Sequence, residues 1–323
     1  MEQTLETLIV GAGALGAMYA GCLASSGMSV GFVADRERAS QLAGGGRTVN
    51  GAPLALPAVA FEDAAAAVRG GAVAPPTLVI VALKDRHLPA VLPAIAALCG
   101  AETTVISVMN GIDSERQLAG ALNDSLDHGR VLYCMTAGMD AVRSGGAISY
   151  SRLGTVFLGR ARNPEDAPRD PRVSRAAALL EQAGIPVQVP ADMRHAIWNK
   201  FMLNVGINQW SAVLGAPYGV FHRQETAREL MRLTMREVIT VAAHQGVTLS
   251  DDDLEGWFGV VDTLGAEGRT SMLQDVLAGR PPEIAMFAGR VVELGEACGV
   301  PTPMNRALVL ALETVAAEGL RRA

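Results

Sequence analysis

Long apolar runs are missing from this sequence: no window approaches the roughly 18 uninterrupted apolar residues that a membrane-spanning helix needs, so no association with a membrane is expected. Paired cysteines are missing too. Cys22, Cys99, Cys134 and Cys298 stand singly among apolar residues, a spacing that suggests neither zinc nor a redox dithiol, and they read as buried thiols. The five histidines show no metal-ligand spacing and no serine sits in a nucleophile motif, which disfavours metal catalysis and acyl transfer. Aromatic residues make up only 4%, but 50% hydrophobic and 19% charged residues is ordinary globular composition, tilted toward alanine and glycine, and excludes disorder. Positive charge is scarce: 27 Lys and Arg against 33 Asp and Glu give a net charge of -6, and the interspersed signs leave no basic stripe for nucleic acid. No basic segment with an apolar stretch precedes the first strand, and a cytoplasmic protein is expected.

A chain of 323 residues is long for one core and fits two domains. Apolar runs at 7–10, 29–34, 77–82 and 103–108 alternate with helical patterns at 14–26 and 88–98, the rhythm of a doubly wound, mostly parallel α/β sheet covered on both faces. Residues 147–151 and 155–158 read as a hairpin, and 185–189 as a last strand. The Pro- and Arg-containing stretch 162–172 reads as a surface loop. From Met193 onward the pattern is almost all helical, broken at 215–219, 246–250, 279–282 and 299–303. The expected domains are 1–190 and 191–323. There is no internal repeat.

Gly11, Ala12, Gly13, Ala14, Leu15 and Gly16 match the GxGxxG pattern, here between a predicted strand and a predicted helix. Gly11 permits the tight turn, Gly13 lets the backbone approach a pyrophosphate, and Gly16 lets the helix pack on the strand. The helix N-terminus then turns unpaired N–H groups and the positive end of its dipole toward the phosphates. Nineteen residues after Gly16, Asp35 ends the second strand, where a carboxylate accepts hydrogen bonds from the adenosine ribose and repels a 2′-phosphate. Arg36 follows and offers a guanidinium to such a phosphate, so the pair leaves NAD and NADP both open. Asp35 is equally well placed to cap the next helix.

In the helical half, Lys200, Asn204 and Asn208 recur every four residues as one polar stripe on a predicted helix over 195–213, whose remaining circumference is mostly apolar. Buried, one ammonium and two amides require partners or a ligand; the alternative is that the stripe faces solvent. Ser271 begins Ser-x-x-Gln, also the capping-box pattern of a helix start. Glu283 follows Pro281 and Pro282 where a first helical turn is expected and where the dipole favours a carboxylate. Asn110 and Gly111 follow a strand, a position that suits a turn and also lines the ligand crevice of such sheets.

Together these residues resemble the ketopantoate reductase (2-dehydropantoate 2-reductase) family over nearly the whole chain. The likeness rests on the glycine turn, Leu83-Lys84, Asn110-Gly111, Trp198-Asn199-Lys200 with Asn204 and Asn208, the segment Ser271-Met272-Leu273-Gln274-Asp275, and Glu283-Ile284. The resemblance implies a Rossmann domain, a helical domain of the 6-phosphogluconate dehydrogenase type, a cleft for a small 2-keto acid, NADPH as cofactor, and a possible homodimer. It makes Lys200 the proton donor to the keto oxygen and places Asn204, Asn208 and Ser271 on the substrate. Asn110 would touch both substrate and cofactor, Lys84 the cofactor, and Glu283 the nicotinamide ribose beside the catalytic lysine. Burial lowers a lysine's pKa and a nearby glutamate raises it. This chain departs from the family twice. NADPH-using members commonly carry arginine where Asp35 stands, which makes NADH a serious alternative. Pantoate-forming members have a further substrate-binding asparagine where the count reaches Tyr218.

Overall fold

Thr7–Val10 is buried along its whole length, the pattern of a strand covered on both faces, and it forms the centre of a parallel sheet. The computed structural model describes residues 5–165 and 169–322. Five strands make the sheet: β1 (Thr7–Val10), β2 (Val30–Ala34), β3 (Ala58–Ala60), β4 (Leu78–Val81) and β5 (Thr104–Ser107). Their spatial order is β3-β2-β1-β4-β5, all parallel, so the chain reverses its direction of travel across the sheet between β1 and β4. Helix α1 (Ala14–Ser25) buries Ala17, Met18, Tyr19, Ala20 and Leu23. It stops where Gly27, at φ +79°, enters the left-handed region and Met28 N–H returns to the Leu23 carbonyl.

The chain divides into two compact units, Met1–Arg194 and His195–Ala323. The first holds this sheet and two smaller ones, and the expected hairpin is corrected there. Ala147–Ser149 pairs with Val142–Ser144 and with Thr48–Val49, whereas Thr155–Gly159 lies in another sheet between Tyr133–Ala137 and Val187–Gln188. Strands this short take their partners from distant chain, which local pattern does not encode. In the stretch 162–172, residues 166–168 lie outside the described residues, and the helix Pro171–Gln182 begins within its end, capped by Asp170.

The second unit is helical among its described residues. Its core includes Phe201, Met202, Val205, Met231, Met235, Phe287, Val291 and Leu308, with Phe201 stacked on Phe287 at 6.2 Å between ring centroids. No helix among the described residues is long and apolar enough to cross a membrane.

Candidate active site

Parallel strands put their carboxyl ends along one edge, and the nucleotide-type residues gather there: the glycine turn after β1, Asp35 after β2, Lys84 beyond β4 and Asn110 beyond β5. The three glycines differ in what requires them. Gly11 sits at φ +108°, and a Cβ on it would meet the Ala82 carbonyl oxygen at 2.4 Å. A Cβ on Gly16 would lie 1.9 Å from the Gly11 oxygen. A Cβ on Gly13 would meet nothing within 4 Å, although Gly13 is the N-cap of α1. Turn geometry and packing thus exclude side chains at Gly11 and Gly16, while Gly13 fronts open space at a helix N-terminus, as a cradle for a pyrophosphate requires.

Asp35 caps the helix α2 (Arg36–Ala43): its Oδ1 accepts the Arg38 N–H at 2.8 Å, and the side chain is exposed. Arg36 is engaged by Asp63 through two hydrogen bonds of 2.9 and 2.7 Å. Lys84 and Asn110 are half-buried, and Gly111 turns the chain at φ +94°.

Glu115, just beyond this edge, is a buried acid that sequence reasoning missed. It is 4% exposed; its Oε2 accepts the Ser114 hydroxyl and its Oε1 the Cys134 N–H. The signal was its helical spacing from Leu118 and Ala119, which puts it on the buried face. Burial pushes its carboxyl up to about 7, against the pull of those donated bonds. The folded chain therefore keeps a proton that the unfolded chain releases near the ordinary carboxylate range, and stability falls as pH rises between those values and levels off above about 7. Glu115→Gln is expected to be more stable than wild type at pH 8 by roughly 3 kcal/mol and to lose that advantage by pH 4, measured by urea unfolding at the two pH values.

In the helical unit one long helix carries the stripe: an α-helical part, Met193–Leu203, a π-helical turn, Asn204–Asn208, and a second α-helical part, Gln209–Leu214, closed by Gly215 at φ +62°. Asn204 and Asn208 are 9% and 7% exposed, so the solvent-facing alternative fails for both amides, and Lys200 is half-buried. Residues four apart on an α-helix drift by about 40° round its axis; the wider π turn counters that drift, and Asn208 Nδ2 donates to Asn204 Oδ1 at 3.3 Å. Gly206 lets the turn lie against the helix Glu225–His244, where a Cβ would come within 3.0 Å of Met231 and Met235. One residue before Lys200, Asn199 accepts the Trp257 indole N–H on both its side-chain and backbone oxygens, at 2.6 and 3.0 Å. Trp210 donates to Thr234 at 2.8 Å. Both bonds fix the helix's rotation.

Ser271 is not the helix cap that its capping-box pattern suggested. Thr270 caps Ser271–Leu277 by accepting the Leu273 N–H, because its hydroxyl is also held by Ser211 of the stripe helix at 3.1 Å. Ser271 is left exposed in the first turn, next to a residue bound to the stripe helix. Glu283 also moves: after Pro281 and Pro282 the chain stays irregular through Glu283, and a second π turn, Ala285–Gly289, opens the following helix. Among the described residues, no group of three or more His, Cys, Asp or Glu could hold a metal ion.

A parallel sheet of this order ending on an open glycine turn, followed by a helical unit with a lysine and asparagine stripe, defines a nicotinamide-dependent oxidoreductase of the two-domain type. The model of the ketopantoate reductase PanE/ApbA family matches residues 7–163, and that of its C-terminal part matches residues 192–316. The chain belongs to the ketopantoate reductase PanE/ApbA family. It is 28% identical over 258 residues to the 2-dehydropantoate 2-reductase of Mesorhizobium japonicum, covering 74% of this chain and 77% of that one. Crystal structures of a PanE/ApbA family ketopantoate reductase from Ralstonia eutropha JMP134 and a 2-dehydropantoate 2-reductase from Geobacter metallireducens GS-15 are similar. The first has a TM-score of 0.79 at 25% identity, covering 97% of this chain and 99% of its own; the second has 0.77 at 28%, covering 95% and 99%.

Proposed function

We propose that this chain reduces the keto group of a 2-keto acid to the 2-hydroxy acid, with 2-dehydropantoate, the substrate named for its relatives, as the first candidate. The observation that carries the reading is the stripe Lys200, Asn204 and Asn208 on a largely buried helix. The glycine turn and the N-terminus of α1 would hold a pyrophosphate and Asp35 the adenosine ribose; a bound dihydronicotinamide supplies a hydride to the carbonyl carbon. The charge left on oxygen is stabilised by the Lys200 ammonium, which then gives up a proton to it and regains one from solvent. Because Asn208 donates to Asn204, the pair presents the Asn204 amide N–H to a carboxylate and the Asn208 carbonyl to a hydroxyl. Asn110, Ser271, Lys84 and Glu283 complete the substrate and cofactor contacts in this reading.

NADH is the expected cofactor. Asp35 places a carboxylate where a 2′-phosphate would sit, and Arg36 is already engaged by Asp63. A panel of 2-keto acids, followed by loss of nicotinamide absorbance, should give kcat/KM at least about tenfold higher with NADH than with NADPH, a difference of about 1.4 kcal/mol. Equal or reversed values would remove the cofactor preference, and no turnover with any keto acid would remove the function.

A second reading keeps the chemistry and changes the acid. Tyr218 is bonded through its backbone N–H to Gly268, and its ring lies against Gly268, leaving no room for a Cβ there. This aromatic residue stands where pantoate-forming members are expected to bear an asparagine. Rescue of a pantothenate auxotroph by this gene would favour 2-dehydropantoate over the second reading.

A further inference from the structure

The two π turns of the helical unit share one side chain. A π turn closes its hydrogen bonds over five residues rather than four, so at each insertion a carbonyl or an amide loses its helical partner. In the second turn Gly289 N–H goes to the Ile284 carbonyl at 3.0 Å, displacing Ala288 N–H, which donates instead to Gln209 Oε1 at 3.0 Å. In the first, the Val205 carbonyl is taken by Gln209 Nε2 at 2.9 Å. Gln209 is 0% exposed. Its amide repairs a missing donor in one element and a missing acceptor in the other, across 79 residues of sequence. A buried amide with both ends matched is strongly oriented, and an apolar replacement leaves two buried backbone groups unpaired.

We infer that Gln209 is a positioning residue for the reaction: it locks the π turn that sets Asn204 beside Asn208, and it ties that turn to the second π turn, Ala285–Gly289. The inference rests on the proposed reading of Asn204 and Asn208 as substrate ligands. Gln209 touches no reacting atom in it. Its effect passes through neighbours on both sides, since Asn208 precedes it directly and Phe287, beside Ala288, stacks on Phe201 next to Lys200.

The test uses the full chain with its best keto acid and two variants. Gln209→Met removes both hydrogen bonds at similar length. Gln209→Glu reproduces both while protonated, its O–H donating to Val205 and its other oxygen accepting from Ala288, and sets a carboxylate against a carbonyl when ionised. Gln209→Met is expected to lower kcat/KM for the keto acid on the order of tenfold or more, with the cofactor Kd from calorimetric titration within about twofold of wild type. Gln209→Glu should approach wild-type kcat/KM as pH falls from 8 to 6, while the Gln209→Met ratio to wild type stays flat. The inference is overturned if Gln209→Met keeps kcat/KM within about twofold, or if both variants lose keto-acid turnover and cofactor binding alike at every pH, the signature of a packing residue. If wild type itself reduces no keto acid, the functional reading fails, and amide hydrogen exchange decides the register: exchange at Ala288 accelerated on the order of tenfold in Gln209→Met, with Val238 unchanged, supports the lock, and unchanged exchange at Ala288 overturns it.

Discussion

Lys200→Ala is expected to lower kcat for 2-keto acid reduction by a factor on the order of 10² to 10⁴ while leaving the cofactor Kd near the wild-type value. The magnitude follows from what is removed. Hydride arriving at a carbonyl carbon leaves negative charge on oxygen, and in the proposed site the ammonium both stabilises that charge and supplies the proton, so its loss falls on the transition state more than on the bound substrate. The KM for the keto acid should therefore change less than kcat. Steady-state kinetics on the purified variant checks this; turnover within a few-fold of wild type would remove Lys200 from the reaction. The variant should fold, because Lys200 is half-buried and the helix around it is fixed by Asn199 with Trp257 and by Trp210 with Thr234.

The second large effect separates two glycines of one turn. Gly13→Ala should fold at a cost of no more than about 1 kcal/mol, the usual preference for glycine over alanine at an N-cap, since the added methyl meets no atom within 4 Å and the residue has an ordinary extended conformation. It should nonetheless weaken cofactor binding on the order of 10- to 100-fold, because the methyl stands where the pyrophosphate approaches the helix N-terminus. Gly11→Ala should lose stability first. Its Cβ would lie 2.4 Å from the Ala82 oxygen at a φ of +108°, and strain of this kind costs on the order of 3 kcal/mol or more. Thermal unfolding and calorimetric titration of both variants give the comparison. Unchanged cofactor affinity in Gly13→Ala would mean that the turn holds no pyrophosphate.

What could be read from the sequence is what local chemistry decides. The strand at 7–10, its glycine turn and the helix after it are set by residues adjacent in the chain, and the all-helical pattern beyond Met193 survives because each helix carries its own periodicity. β3 was not legible. Ala58, Val59 and Ala60 carry no distinct strand signal, and pairing with β2 makes them one. The stripe was legible as spacing but not as geometry: nothing in Asn204 to Asn208 forbids an α-helix, and the π turn there is sustained by Gln209, whose other partner is Ala288. Thr270 took the cap from Ser271 for a similar reason, because Ser211, 59 residues away, holds its hydroxyl.

The clasp between Trp257 and Asn199 has an optical consequence. The sequence contains three tryptophans; Trp198 and Trp210 lie on the stripe helix, and Trp257 is hydrogen-bonded to it. The α/β unit has none. Intrinsic indole emission is therefore a private signal of the helical unit, and melting followed by emission beside melting followed by circular dichroism would resolve whether the two units unfold as one.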